Sequence, residues 1–414
     1  MPRQSDAFSR RGFLALSRGV LFAGLAAAVP TDEVSMMQTP AEDGASVRES
    51  MTLLLTGDVM LGRGIDQILP HPSDPRLYED YVGSATTYVE LAEAVNGPIP
   101  RPVDFSYVWG DALAEMQRLR PDARIINLET SITASEQHLP KGINYRMSPG
   151  NVGCLGAMRI DCCALANNHV LDWGNSGLLE TLATLKEARI AGAGAGRSLS
   201  EASAPAILHV PGAGRVLVFG FGTASSGIPA EWAAGDDTPG VNLLKAFSER
   251  EIARAASAVG AVKRPGDLAI ASIHWGGNWG YRISDQQRRF AHALIASAGF
   301  DLVHGHSSHH AKGIEVYREK LIVYGCGDFL DDYEGIKGHE EFRGDLVVAY
   351  LARLSASSGN LLDLTLVPFQ IKRFRLNRAS AEDSAWLQAT LDRESAVLGT
   401  RIAGEGDVLR ALRR

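Results

Sequence analysis

Cysteine is scarce in this sequence, and the four present, Cys154, Cys162, Cys163 and Cys326, form no C-x-x-C pair. That spacing excludes a zinc knuckle and a thioredoxin-type redox pair. The adjacent Cys162 and Cys163 cannot readily bridge each other, and all four read as small buried apolar side chains. Long apolar runs are missing too. The one near the N-terminus, Val20 to Val29, is about ten residues, where a bilayer-spanning helix needs ~20. Charge of either sign is not in excess. A net charge of -7 over 414 residues gives no reason to expect nucleic acid or an anionic membrane as partner. It leaves room for an anionic substrate, because a local metal or Arg overrides a global sign. There is no long internal repeat. The glycine-rich stretch Gly192-Ala193-Gly194-Ala195-Gly196 lacks the Lys and Ser/Thr of a phosphate-binding loop and reads as a turn after a helix.

What is present suits a globular chain. Apolar residues make up 45% and charged residues 21%, enough for a sizeable core. The length allows two or three domains, or one large α/β unit. The N-terminus reads Ser9-Arg10-Arg11-Gly12-Phe13-Leu14, followed by the short apolar run and Ala26-Ala27-Ala28. Paired arginines before a short apolar stretch and small residues predict a twin-arginine export signal over residues 1–30, and hence a periplasmic or other extracytoplasmic location. Membrane association is then expected only through partners or an uncleaved signal. Residues 31–50 are polar and acidic and predict a disordered leader. The main domain is expected over 51–350. Residues 351–414, with the strand-like LLDLTLVPFQIKRFRL and a helix-like 381–398, carry no chemical cluster and are expected as a structural extension.

From residue 51 one pattern recurs: a short apolar or β-branched run that stops at polar residues. Residues 51–55 lead to Thr56-Gly57-Asp58, 124–126 to Asn127-Leu128-Glu129, and 162–166 to Asn167-Asn168-His169. Residues 268–273 lead to His274-Trp275-Gly276, 302–303 to His304-Gly305-His306, and 321–324 to Gly325-Cys326-Gly327-Asp328. Helical spacing lies between them at 107–119, 178–190 and 286–299. Strands alternating with helices predict an α/β sheet fold, in which ligands gather beyond the carboxyl ends of the strands. Those ends carry Asp, Glu, Asn and His here, with His304, His306, His309 and His310 crowded together.

Carboxylate, amide oxygen and imidazole suit borderline or hard divalent ions, with Zn, Mn or Fe the expected identities. A one- or two-metal centre draws on Asp58, Glu129, Asn168, His274, His306 and His309, since paired ions need a shared carboxylate and ligands from several strands. Arg63, after Gly57-Asp58-Val59-Met60-Leu61-Gly62, is expected to grip phosphate or carboxylate in two prongs. Trp275, Trp279 and Arg282 are expected to line the cleft.

The ordered set Gly57-Asp58-Val59-Met60-Leu61-Gly62-Arg63, Asn127-Leu128-Glu129, Asn167-Asn168-His169 with Asp172-Trp173-Gly174, His274-Trp275-Gly276, Gly305-His306 with His309, Gly313-Ile314-Glu315 and Gly327-Asp328-Phe329 resembles the motifs of the CapA-like capsule-synthesis (poly-γ-glutamate) family. That family is similar to calcineurin-like metallophosphatases. The resemblance implies a β-sandwich flanked by helices, a four-layer α/β/β/α fold. It implies that Asp58 and His309 bind one metal, that Asn168, His274 and His306 bind the second, that Glu129 bridges them, and that His169 is the general acid. Asn127 and Asp328 join Arg63, Trp275 and Arg282 as expected substrate contacts. Met60 stands where phosphatases carry a His, Glu129 replaces an Asp, His309 comes one residue late, and Asp328 replaces an Asn. The function implied is metal-dependent work on an anionic extracellular polymer, in company with its synthesis or export machinery. A plain phosphoesterase and a non-catalytic polymer- or synthase-binding module are the alternatives.

Overall fold

The computed structural model describes residues 48–412. The expected twin-arginine signal and nearly all of the expected leader lie outside them. Two large sheets carry the fold. The first has ten strands, ordered Arg401–Glu405, Val408–Leu412, Leu361–Ile371, Leu346–Ser355, Ser50–Val59, Ala123–Leu128, Cys162–Ala164 and Ala191–Ala193, with Asp328–Leu330 beside the end of Ser50–Val59 and Leu376–Arg378 beside Leu361–Ile371. The second has seven, ordered Leu243–Leu244, Gly214–Thr223, Leu268–His274, Leu302–His306, Lys320–Val323 and Ile314–Tyr317, with Ala206–Val210 on Gly214–Thr223.

Alternation along each strand decides the layers, because successive side chains point to opposite faces. Leu53 and Leu55 pack with Val216, Val218, Ile270 and Val323 in a core between the sheets. Leu54, between them in sequence, faces the other way, into a core shared with Val89, Ala112, Met116, Leu178 and Leu185 of the outer helices. Leu217, Phe219, Ala269 and Ala271 likewise turn outward onto Ala255, Val259, Phe290 and Leu294. Both faces of each sheet are therefore covered, which explains the continuous apolar runs. The result is the four-layer α/β/β/α sandwich, with helices Thr86–Asn96, Asp111–Leu119 and Gly174–Glu187 on one side and Glu249–Val262 and Asp285–Ala296 on the other. Ser248 and Ser284 cap the last two by accepting the backbone N–H of Glu251 and Gln287. No helix among the described residues is long and apolar enough to cross a membrane.

The boundary expected at residue 350 falls inside the strand Leu346–Ser355, which pairs with Ser50–Val59 along Ser50 to Leu55. Residues beyond 350 extend the first sheet and contribute Leu364, Leu366, Leu387 and Leu391 to the central core. The alternation of LLDLTLVPFQ marks a strand, and Leu361–Ile371 pairs with the strand just before it, Leu346–Ser355; what no local pattern reveals is that Leu346–Ser355 in turn pairs with Ser50–Val59 at the far end of the chain. The glycine run lies where the two sheets meet. Gly194 has φ 93°, and a Cβ there would stand 2.8 Å from the Cα of Gly220, so small residues permit close backbone approach.

Candidate metal centre

Register assembles the centre. Parallel strands set residues of equal register side by side, about 4.8 Å apart. In the first sheet Asp58 aligns with Asn127 on one side and Asp328 on the other. In the second, His274 aligns with His306. Each row lies at a carboxyl end of its sheet, and the two rows meet. Gly57 lets the Asp58 and Asp328 strands close up: a Cβ on Gly57 would overlap the Gly327 carbonyl oxygen, which accepts the Asp58 N–H at 3.1 Å.

Two groups of metal-type ligands result, Asp58–His274–His306 and Asp58–His309–Asp328, each with its ligand atoms within 4.8 Å of one another and each made of buried residues. Asp58 is common to both groups, and Glu129, the bridge the resemblance implied, stands beside them. Asn127 donates to Asp58 Oδ1 at 2.7 Å and Ser307 N to Oδ2 at 3.2 Å, so Asp58 is held from two sides. Glu129 Oε1 stands 3.7 Å from His274 Nε2 and 3.8 Å from His169 Nε2. Asn168 Oδ1 lies 2.8 Å from His274 Nε2, and His274 Nδ1 lies 2.9 Å from His306 Nδ1. The late position of His309 has a local cause. Ser307 takes φ 103°, a conformation costly for any residue but glycine. The loop turns there, Ser308 faces away to bond the His310 carbonyl, and His309 comes round to place Nδ1 2.9 Å from Asp328 Oδ1.

The electrostatics is that of carboxylates and imidazoles packed together. Burial, then the charge of Asp58, pushes Glu129 and Asp328 well above the usual carboxylate range, and burial raises Asp58 itself. Asp331 is driven up by burial and then by Asp328. Burial pushes His274 and His306 well down and lowers His309, so these rings are neutral donors. Glu129 Oε2 and Asp328 Oδ2 are buried with no hydrogen-bond partner, an expensive arrangement unless a cation satisfies them. Oxygen and neutral imidazole nitrogen are the donors a divalent ion takes. The residues fit a divalent metal.

His169 borders this group. Its Nδ1 lies 2.7 Å from Asp172 Oδ2, and Asp172 also accepts from Tyr145 N at 2.6 Å and Lys141 Nζ at 2.6 Å. A carboxylate taking that many donors keeps the imidazole proton on Nδ1 and leaves a lone pair on Nε2, the nitrogen facing Glu129. Burial brings His169 down to about 4 against the pull of Asp172. Glu129, Asn168, His169, His274 and His309 line a cavity of about 210 Å3, together with Lys141, Ile143, Gly227, Asn278, Ser307 and Tyr333. Through Ile143, Asn278, His309 and Tyr333 it shares a wall with a cleft of about 760 Å3.

Five expected substrate contacts are placed otherwise. Arg63 is buried, with Nε and Nη2 on Asp332 at 2.9 and 2.5 Å and Nη1 on Glu79 at 3.0 Å. Its guanidinium carbon sits 3.6 Å from the Tyr88 ring and 4.6 Å from the Tyr145 ring. The two-pronged grip is real, but an internal carboxylate fills it. Trp275 is in the outer core, bonding the Tyr324 carbonyl at 2.9 Å and packing on Phe247. Trp279, by contrast, lines the larger cleft, stacked on His339. Arg282 is exposed and absent from the lining of both cavities. Asn127 is fully buried and spent on Asp58 and Asn167. Asp328 is one of the ligand-type carboxylates. Sequence pattern does not reveal Lys141, Asp331 and Tyr333. Asp331 stands three residues after Asp328, a spacing that points to it only once Asp328 is known to face inward; Lys141 sits in a loop with no pattern.

A family described as bacterial capsule synthesis protein matches residues 52–333. A relative from Mycobacterium tuberculosis named as a probable polyglutamine synthesis accessory protein is 51% identical over 361 residues, covering 87% of this chain and 95% of that one. A PGA biosynthesis protein CapA of Bacillus subtilis is 28% identical over 71% of this chain and 66% of its own length, and a capsule biosynthesis protein CapA of Bacillus anthracis 26% over 78% and 68%. A solved structure described as a novel phosphatase of Mycoplasma pneumoniae overlays with a TM-score of 0.44 at 8% identity, covering 78% of this chain and 96% of that one.

Proposed function

Since the chain belongs to the bacterial capsule synthesis protein family, we propose that it is an exported, metal-dependent component of poly-γ-glutamate or capsule biosynthesis, acting on the anionic polymer or on an intermediate alongside the synthesis machinery. The observation that carries this reading is the pair of ligand groups sharing Asp58, with Glu129 and Asp328 each holding a buried oxygen without a partner. The adjoining cleft of about 760 Å3 is roomy enough for an extended chain segment. The relatives' names, an accessory protein and two capsule or PGA biosynthesis proteins, point to the same setting.

The chemistry assigned is hydrolysis or transfer at a phosphoryl or acyl centre. Asp58, His274, His306, His309 and Asp328 would hold divalent metal, with Glu129 and Asn168 beside them. Bound metal supplies Lewis acidity and charge neutralisation at the reacting centre. His169 moves the proton. Neutral in the free protein, it takes a proton at Nε2 before it can return one, and Asp172 holds the ring in place meanwhile. His169→Ala is expected to keep its metal and slow turnover of a generic phosphodiester by about 10²–10⁴-fold. Elemental analysis and rates on the same preparation test this. Less than about 0.2 equivalents of metal per chain in protein purified without chelator, a tenth of a fully loaded pair of sites, defeats the metal-centre reading. Export through Arg10 and Arg11 is part of the proposal, and retention of the Arg10→Lys, Arg11→Lys variant in the cytoplasm is its test.

A further inference from the structure

Arg63 is engaged by Asp332 and Glu79 and borders the larger cleft, outside the lining of the 210 Å3 cavity at the ligand groups. Among the described residues that line the 210 Å3 cavity, Lys141 is the one lysine or arginine. We propose that Lys141 is the oxyanion-holding residue of this site, and that the substrate places a carboxylate or phosphoryl oxygen against its ammonium. This deepens the function proposed above and rests on it.

The argument is one of unspent donors. A lysine ammonium has three N–H groups and no acceptor. One goes to the Asn168 carbonyl and one to Asp172 Oδ1 at 2.6 Å. The third nearby atom, His169 Nδ1, lies 3.3 Å away. That nitrogen is already committed to Asp172 Oδ2 at 2.7 Å with its proton between them, so it offers no lone pair. One N–H of Lys141 therefore has no acceptor within the protein. The side chain is 24% exposed and its ammonium lies 5.1 Å from the Trp232 ring centroid, which steers the charge without consuming a donor. Asn168 and His169 belong to the same cavity wall, so an oxygen bonded to Lys141 lies next to the ligand groups.

The test is calorimetric titration of the full mature protein, loaded with manganese, against inorganic phosphate and against a γ-linked glutamate trimer. Lys141→Met is expected to weaken whichever probe binds by about 10- to 100-fold, the scale of one charged hydrogen bond, with the manganese content of the folded molecules near that of the parent. Lys141→Arg, which keeps the charge, should recover most of the loss. Tight phosphate binding identifies the oxygen as phosphoryl, and tight trimer binding as carboxylate; either supports the proposal provided the Lys141→Met loss follows. Unchanged affinity in Lys141→Met overturns the proposal and leaves the metal centre standing. Loss of manganese in Lys141→Met overturns it in favour of a support role for the Asn168 loop. A parent protein that binds neither probe while holding manganese also overturns it. A parent that holds no manganese sinks the proposed function as well.

Discussion

Arg63 and Asp58 sit five residues apart, both buried, both surrounded by acidic side chains, and they have opposite fates. Around Arg63 the hydrogen bonds close on one another. One guanidinium meets Asp332 and Glu79, with Tyr88 and Tyr145 against its faces and the Tyr88 hydroxyl on Glu79. Around Asp58 they do not. Glu129, Asp328 and Asp331 crowd the same space with neutral imidazoles as neighbours, and two carboxylate oxygens have no partner at all. A buried ion cluster that is internally satisfied holds a structure together. One left unsatisfied is waiting for something from outside.

The comparison breaks first at Asp58. Asp58→Asn is expected to lower metal affinity by more than about 100-fold, beyond the 10- to 100-fold of a residue that only supports a ligand, because it serves both groups. Elemental analysis and metal titration read the loss; a variant that retains the parent's metal content would remove Asp58 from its shared position. Arg63→Met is expected to cost about 3–5 kcal/mol of stability, since Asp332 and Glu79 become buried charges without a partner. Denaturant unfolding measures it. The metal affinity of the molecules still folded should change little, and a large change there would mean that the two clusters are one.

Smaller effects sharpen the contrast. Asn127→Ala removes the donor at 2.7 Å from Asp58 and should cost about 10-fold in metal affinity, the lower end for a supporting residue, with the fold retained by circular dichroism. Metal binding should also release protons. Glu129, Asp328 and Asp331 have their protonation range pushed upward, so in the metal-free protein they keep protons at pH values where free carboxylates have lost them, and a cation must displace these. Apparent affinity then tightens as pH rises above the ordinary carboxylate range. Titration in buffers of different ionisation enthalpy counts the protons, and a count of zero contradicts the shifted carboxylates. The histidines add none at neutral pH, because burial already holds them neutral. Least of all, Arg282→Ala should move stability by under about 0.5 kcal/mol and leave metal binding as it was.

The strand ends carrying Asp58, Asn127, Glu129, Asn168, His274 and His306 were legible from sequence because a strand's apolar run and its polar stop are adjacent in the chain. The helices were legible for the same reason, with modest differences at the ends. The segment 107–119 divides into a short 3-10 turn, Tyr107–Trp109, and the helix Asp111–Leu119, since Gly110 takes φ 44° between them. The helix expected over 178–190 begins earlier, at Gly174.

Composition and local pattern thus determined the α/β class, the kind of ligand atom and the strands that present them. Only the tertiary structure decided that Asp58 is common to both ligand-type groups, that Asp328 belongs to one of them, that Arg63 is engaged by Asp332 and Glu79, that Trp275 is internal, and that Lys141 lines the smaller cavity. Each of those outcomes depends on a partner distant in the chain: Arg63 meets Asp332 across 269 positions, and His309 reaches Asp328 only because Ser307 turns the loop. Residue type sets what a side chain can bond. Whether its donors and acceptors are already spent is set by neighbours that strand register and loop geometry bring up, and those neighbours leave no mark on the local sequence.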